Sequence, residues 1–324
     1  MLISFPYSLP PKSWHRQLLL MISCGLVLVF ILNGKRVSGS LTTPLMVYPE
    51  LTDQHEGEFS VLTYNIAGLP QLISSAKSPR AASIRTIGKR ISDFDIVNVQ
   101  EDFNYNEDLY AENTHPYRTI SMGGVPFSDG LSTLSKYPIV ASKRIPWTDC
   151  SGADCLTPKG FSYTRIQLAK QVYLDVYNVH ATAQNNPTAV AMRNKNLAQF
   201  TAFLQTNSPC NALLIMGDFN ANYAFAGDQI GDFMQQSSLF DSWVLLQNKG
   251  YLAALAENFQ APAALGITDA VESIDKIYFR NSDELILHPA DYLVQKGLFV
   301  TESGIPLSDH CAISLRLKWK LVNP

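Results

Sequence analysis

The 324-residue chain is 46% hydrophobic and only 16% charged, so it can bury a sizeable core and is neither disordered nor fibrous. Its formal charge is −3, yet the first 39 positions hold four basic residues (Lys12, Arg16, Lys35, Arg36) and no acid, which leaves 21 basic and 28 acidic residues, a net of −7, for the rest. That sign argues against a protein living by phosphate-backbone affinity, although it leaves room for a nuclease that neutralises its substrate locally with a metal.

Residues 18–32 form an uncharged apolar run preceded by Lys12, His15 and Arg16. Such a run suits a signal-peptide core better than a bilayer span of about 20 residues, and Val37 and Gly39 supply small residues before Ser40. Residues 1–39 therefore read as a signal peptide or, if uncleaved, a signal anchor, and the protein is expected to be secreted or membrane-tethered. Residues 40–57 are polar and Pro-containing and read as a linker. With no internal repeat or second linker, 58–324 reads as one catalytic domain.

Within it, strands alternate with helices, which defines an α/β class. Residues 59–64 are strand-like and end in Asn65 and a Gly68-Leu69-Pro70 turn. Residues 79–92 place Ile84, Ile87 and Ile91 at helical spacing. The strand at 95–100 ends on Glu101. Cys150 and Cys155 bracket a short loop and are either a disulfide, in an oxidising compartment, or two loop thiols. No Cys/His spacing suits zinc. A strand at 172–179 ends on His180, a helix covers 189–205, and a strand at 212–216 runs into Gly217-Asp218-Phe219-Asn220. The last strand starts near Ala312, just after Asp309-His310.

Asn65, Glu101, His180, Asp218 and Asn220 thus each follow a strand, and Asp309-His310 precede one. Singly, each has an ordinary explanation: Asn65 caps a turn, Glu101 is the first solvated residue after a strand, and residues 217–220 are a turn. Together they form a coherent set. Carboxylate and amide oxygens suit Mg²⁺, with Mn²⁺ as an alternative. Phosphoester hydrolysis needs neutralised phosphoryl charge, a positioned water and a proton for the leaving oxygen, and two histidines with Asp, Asn and Glu can supply them.

At these residues the chain resembles the endonuclease/exonuclease/phosphatase superfamily, which includes DNase I, sphingomyelinase C and inositol-phosphate 5-phosphatases. The matching segments are Leu62-Thr63-Tyr64-Asn65, Val99-Gln100-Glu101, Asn178-Val179-His180, Gly217-Asp218-Phe219-Asn220, Ile274-Asp275-Lys276-Ile277 and Ser308-Asp309-His310. The resemblance implies a four-layer α/β/β/α sandwich (DNase I-like). It implies that Glu101 binds the metal with help from Asn65, with Asp309 on the metal side, and that Asp218 orients or activates water while Asn220 holds a phosphoryl oxygen. His180 and His310 would flank the phosphate, and Asp275 would orient His310. No carboxylate partner for His180 is evident.

The stretch from Cys150 through Lys159-Gly160-Phe161 to Tyr163-Thr164 is similar to the secreted bacterial sphingomyelinases, and places Lys159 as a substrate-binding residue. Asp129-Gly130 and Arg193 with Asn196-Leu197 fit the same branch. One departure is clear: that branch has a long aromatic hairpin before the final Asp-His, whereas only 28 residues separate Phe279 from Ser308 here, and the apolar patch left to meet a lipid surface is Leu298-Phe299-Val300. The expected function is a Mg²⁺-dependent, sphingomyelinase-like phosphodiesterase acting on phospholipid at a membrane surface, as a monomer without a protein partner. The rivals are a DNase I-like endonuclease and a catalytically dead protein that binds phosphorylated ligands.

Overall fold

The computed structural model describes residues 51–119, 128–157 and 159–323. The stretch read as a signal or anchor, and the linker up to residue 50, lie outside the described residues. The chain first lays down β1 (Glu56–Asn65), β2 (Ile96–Gln100), β3 (Tyr117–Arg118) and β4 (Ser132–Ser135). It then builds a second sheet from β5 (Ile139–Pro146), β6 (Gly160–Ala169), β7 (Val172–His180), β8 (Leu213–Asp218), β9 (Phe240–Asp241) and β10 (Asp275–Arg280). It returns to the first sheet with β11 (Leu285–Val294) and β12 (Ile313–Leu321). The sheets have six strands each, in the orders β11-β12-β1-β2-β4-β3 and β5-β6-β7-β8-β10-β9.

Each sheet is mixed in the same way. At its centre lies one parallel pair, β1 with β2 and β7 with β8, flanked by antiparallel neighbours. Parallel strands deliver their C-terminal ends to the same edge, so Asn65 stands opposite Gln100 and His180 opposite Asp218. The antiparallel neighbours contribute their N-terminal ends to that edge: Asp275 of β10 faces Asp218, and β12 begins opposite Thr63. This topology brings distant segments of the sequence to one rim.

Helices cover the outer faces. In α1 (Arg80–Arg90), Ile84 and Ile87 sit at helical spacing and, with Ile91 and with Leu109 of α2 (Asn106–Ala111), bury against Leu62, Tyr64, Val97 and Val99. On the other side, α3 (Pro187–Asn207) starts at Asn186, whose side chain accepts the Ala189 N–H at 3.0 Å. Its Leu197, Phe200 and Leu204 pack on the second sheet with Phe233 of α4 (Ile230–Gln236). Full burial of each such side chain is worth about 1.5–3 kcal/mol.

Between the sheets the core combines apolar residues (Phe59, Val61 and Leu315 with Val176, Met216 and Ile277) with buried amides. Asn98 of β2 donates to the Tyr177 carbonyl at 2.9 Å, Asn178 of β7 donates to the Val99 carbonyl at 2.9 Å, and Gln100 donates to Asn178 Oδ1 at 2.7 Å. These bonds cross from one sheet to the other. Gly217 is needed where β8 meets β7, because a Cβ there would lie 2.1 Å from the Val179 carbonyl oxygen.

Two expectations change. The linker reading overruns the domain, since β1 begins at Glu56, where Gly57 packs beneath the Trp319 ring. The Leu298-Phe299-Val300 triplet is not an exposed patch. Arg90 holds the carbonyls of Leu298 and Val300 at 2.6 and 2.7 Å, which turns Phe299 inward, 3% exposed and 4.7 Å from the Tyr64 ring centre. Between β10 and β12 the chain forms sheet strand β11, not a protruding hairpin. Among the described residues no helix is long and apolar enough to cross a membrane.

Candidate active site

The rim where the two parallel pairs end gathers Asn65, Glu101, His180, Asp218, Asp275 and His310. Backbone strain marks the place: Glu101, Asn220 and Ala67 hold φ values of 60°, 50° and 50°, in the left-handed region that non-glycine residues seldom occupy. Asp218, 1% exposed, is the hub. Its Oδ2 accepts from Asn65 Nδ2 at 3.1 Å and faces His180 Nε2 at 3.6 Å and His310 Nε2 at 3.9 Å, while its Oδ1 accepts the Asn220 N–H at 2.9 Å. The other Asn65 contact, Nδ2 to Glu101 Oε1 at 3.1 Å, ties Glu101 to the same amide.

The surroundings shift the two histidines in opposite directions. His180 is fully buried, and burial, reinforced by the positive charges of Lys159 and His310, pulls it well below the usual imidazole value. Its Nδ1 has no hydrogen-bond partner among the described residues, and both nearby carboxylates, Asp218 at 3.6 Å and Glu101 at 3.9 Å, lie on the Nε2 side. A neutral ring so placed can present an Nε2–H toward them. His310 donates Nδ1–H to Asp275 Oδ2 at 2.9 Å. Burial opposes its charge, but Asp275, Asp218 and Asp309 outweigh that and hold it up to about 10. Burial also raises Asp218, against the pull of His310, and raises Glu101, against the pull of Lys159 and Asn65.

Two of the expected site residues are tied up by neighbouring groups. Asn65 turns its amide nitrogen, not its oxygen, toward Glu101 and Asp218, because Oδ1 accepts the Ala67 N–H at 3.1 Å in the turn that follows β1. Lys159 is not a free cation: its ammonium, 9% exposed, pairs with Asp154 Oδ1 at 2.9 Å. Asp154 sits inside the Cys150–Cys155 disulfide loop and accepts the Ala183 N–H at 2.8 Å, which anchors that loop beside the chain leaving His180. Asn220 is half-buried and donates Nδ2–H to the Ala181 carbonyl at 3.3 Å. Asp309, also half-buried, lies beside Ser308, whose hydroxyl holds the Asn65 carbonyl at 2.7 Å.

Asp218, Asp275 and His310 bring ligand-type atoms within 4.8 Å of one another. Asp275 Oδ2 is already taken up by the His310 Nδ1–H, which leaves this trio few free oxygens for a hard cation. The carboxylates that could hold Mg²⁺ are those of Glu101, with 20% of its side chain exposed, and Asp309, which is half-buried. Mg²⁺ takes one or two carboxylates and keeps its waters.

Sequence reasoning missed Asp154, Trp147, whose indole N–H holds the His180 carbonyl at 2.8 Å, and the buried role of Arg80 and Arg193. A signal for the arginines exists. Arg80 falls on the stripe Ile84, Ile87, Ile91, and Arg193 falls on Val190, Leu197, Phe200, so each occupies a core-facing position.

Two sheets stacked with outer helices, and a carboxylate–histidine site at the rim of both, define a class of phosphoester-handling folds. The chain belongs to the endonuclease/exonuclease/phosphatase family, whose model matches residues 62–310. It is similar to the sphingomyelinase of Mycobacterium tuberculosis (strain ATCC 25618 / H37Rv), at 37% identity over 266 residues, covering 80% of this chain and 52% of that protein. The chain thus spans about half the length of the curated relatives it matches. Among solved structures it resembles sphingomyelinase C from Streptomyces griseocarneus (TM-score 0.56, 19% identity, 80% of this chain and 99% of that one). It also resembles a double mutant of beta toxin from Staphylococcus aureus with bound magnesium ions (TM-score 0.57, 17% identity, 80% of this chain and 99% of that one).

Proposed function

We propose that the protein is a Mg²⁺-dependent phosphodiesterase, with Mn²⁺ able to substitute, that cleaves the head-group ester of a phospholipid, sphingomyelin foremost, at a membrane surface. The observation that carries this reading is the meeting on Asp218 of two histidines, one shifted toward its neutral form and one toward its charged form, with Glu101 beside them. The 37% identity to a sphingomyelinase supports the lipid class, and the disulfide supports an exported protein.

In this reading Glu101 and Asp309 hold the ion, which neutralises charge on the phosphoryl oxygens when bound. Asn65 fixes the spacing of Glu101 and Asp218 through one amide nitrogen. Asp218, its basicity raised by burial, takes the proton of the attacking water. His180 offers an uncharged N–H to a phosphoryl oxygen, and Asn220 offers a second donor. His310, charged and oriented by Asp275, supplies the proton that the leaving oxygen needs. Lys159 acts through its field on Glu101, Asp218 and His180, positioned by Asp154.

The lipid contact moves from the buried Phe299 to the loop leaving Asn65, where Leu72 is 98% and Ile73 50% exposed, and to Leu156, 69% exposed, on the disulfide loop. The deciding assay presents the purified full chain and Mg²⁺ with sphingomyelin vesicles, lysophospholipid, inositol phosphates and plasmid DNA. Phosphocholine release that EDTA and Glu101→Ala abolish is expected. It should vary little between about 50 and 200 mM salt, where a multi-phosphate DNA binder loses orders of magnitude in affinity. Plasmid nicking at enzyme-like rates with both lipids untouched would replace this reading by a DNase I-like one.

A further inference from the structure

Among the described residues, Arg80 and Arg193 are the two largest fully buried side chains, 1% and 0% exposed. Burying a guanidinium is costly, and arginine on the core side of a helix needs a reason. Neither spends its donors on regular secondary structure. Arg80 gives Nη2–H to the Ile66 carbonyl at 2.7 Å, Nε–H to the Ala67 carbonyl at 3.1 Å and Nη1–H to the Leu307 carbonyl at 2.8 Å. Ile66 and Ala67 directly follow Asn65, and Leu307 precedes Ser308-Asp309-His310. One planar group therefore joins two site-bearing segments that lie some 240 positions apart.

Arg193 does the same in the other sheet. Its Nη1–H goes to the carbonyls of Thr182 and Gln184, at 3.2 and 2.6 Å, just beyond His180. Its Nε–H goes to Asp228 Oδ1 at 2.8 Å, and Asp228 Oδ2 accepts the Asn222 N–H at 3.1 Å, two residues beyond Asn220. In each case a held carbonyl belongs to a residue in left-handed conformation, Ala67 (φ 50°) or Gln184 (φ 72°). Such turns persist only where the surroundings over-determine them.

We propose that Arg80 and Arg193 are positioning residues for the reaction, one for each sheet: Arg80 fixes Asn65 relative to Asp309 and His310, and Arg193 fixes His180 relative to Asn220. Only the guanidinium fork can satisfy several carbonyls at once in fixed geometry, so lysine, with the same charge, does not replace it. The proposal rests on the phosphodiesterase reading for its kinetic arm alone.

The test pairs kinetics with NMR of ring-labelled histidines in the full metal-free chain, so that a wrong substrate assignment and a wrong positioning role fail separately. Arg80→Lys should displace the His310 resonances and leave those of His180 and of buried His115 in place; Arg193→Lys should displace His180 and spare His310. Each should lower kcat by about tenfold to a hundredfold, the scale of a misplacement near 1 Å, with KM little changed. Asp228→Asn keeps both arginines and weakens only one grip, so it should move His180 in the same direction as Arg193→Lys but less, even if the lysine variants fold poorly. If either lysine variant or Asp228→Asn disturbs both histidines alike, or leaves its own histidine unmoved, the arginines are general core supports and the proposal is overturned.

Discussion

Gly68→Ala tests whether the backbone around Glu101 sets the chemistry. Gly68 is buried in the turn after β1, and a Cβ there would lie 2.1 Å from the Glu101 carbonyl oxygen and 3.3 Å from the Phe103 nitrogen. Ordinary contact begins at 3.4 Å, so the carbonyl would have to retreat by about 1.3 Å. Glu101 has little freedom to do so. It already holds φ 60°, its carbonyl accepts the Phe103 N–H at 2.8 Å, and the Gly68 carbonyl accepts from Asn104. Overpacking of this kind costs about 1–3 kcal/mol, so the variant should fold with a melting temperature lowered by several degrees. Displacing a site residue by about 1 Å costs on the order of 10²-fold in rate. The assay is turnover of a soluble phosphodiester and of sphingomyelin vesicles across a Mg²⁺ titration, with a thermal melt alongside. Both substrates should slow together, and half-saturation should need more Mg²⁺. A folded Gly68→Ala protein with wild-type turnover and unchanged Mg²⁺ demand would refute the placement of Glu101 at the centre of the site.

Changing either His180 or His310 to Ala should cost about 10²–10⁴ in turnover, and the double variant less than the product, because groups acting on one phosphoryl centre do not contribute independently; strictly multiplicative losses would count against a shared role. His310 is held up to about 10 in the folded chain against an ordinary 6.5, so its stabilising charge is fully present below pH 6.5 and is lost as pH rises through about 10. The melting temperature of the metal-free protein should fall over that window, and Asp275→Asn should flatten the slope; an unchanged slope would show that Asp275 does not hold the charge. Phe299→Asp should unfold the protein, since it buries an unpaired charge against Tyr64. Leu72→Asp should leave the melt unchanged and slow only vesicle hydrolysis; equal loss on a soluble substrate would remove Leu72 from the lipid surface.

Much of the site was legible because a strand's end is readable and chemistry clusters there. Asn65, Glu101, His180 and Asp218 each follow an apolar run that becomes one strand of a central parallel pair. What alternation does not carry is the environment on either side of a loop. Phe299 looked exposed because its triplet has no period; the force that buries it comes from Arg90, more than 200 positions away, through backbone carbonyls that have no sequence signature. Asn65 is expected at the metal through the family resemblance, and its Oδ1 also accepts the Ala67 N–H in the following turn, a contact that no sequence pattern carries. Arg80 and Arg193 stand on the core-facing stripes of their helices, and β11 lacks a clean alternation because Pro289 interrupts it and a bulge follows.

The amides that cross between the sheets have a further consequence. Apolar faces slide over one another at small cost, but the bonds from Asn98, Gln100 and Asn178 are directional and reach only one register. A shift of one residue between β2 and β7 would strand several buried donors at about 1–3 kcal/mol each, which works as a mechanical key. The candidate site straddles the seam that this key locks, so the two sheets that carry it are held in register from the interior.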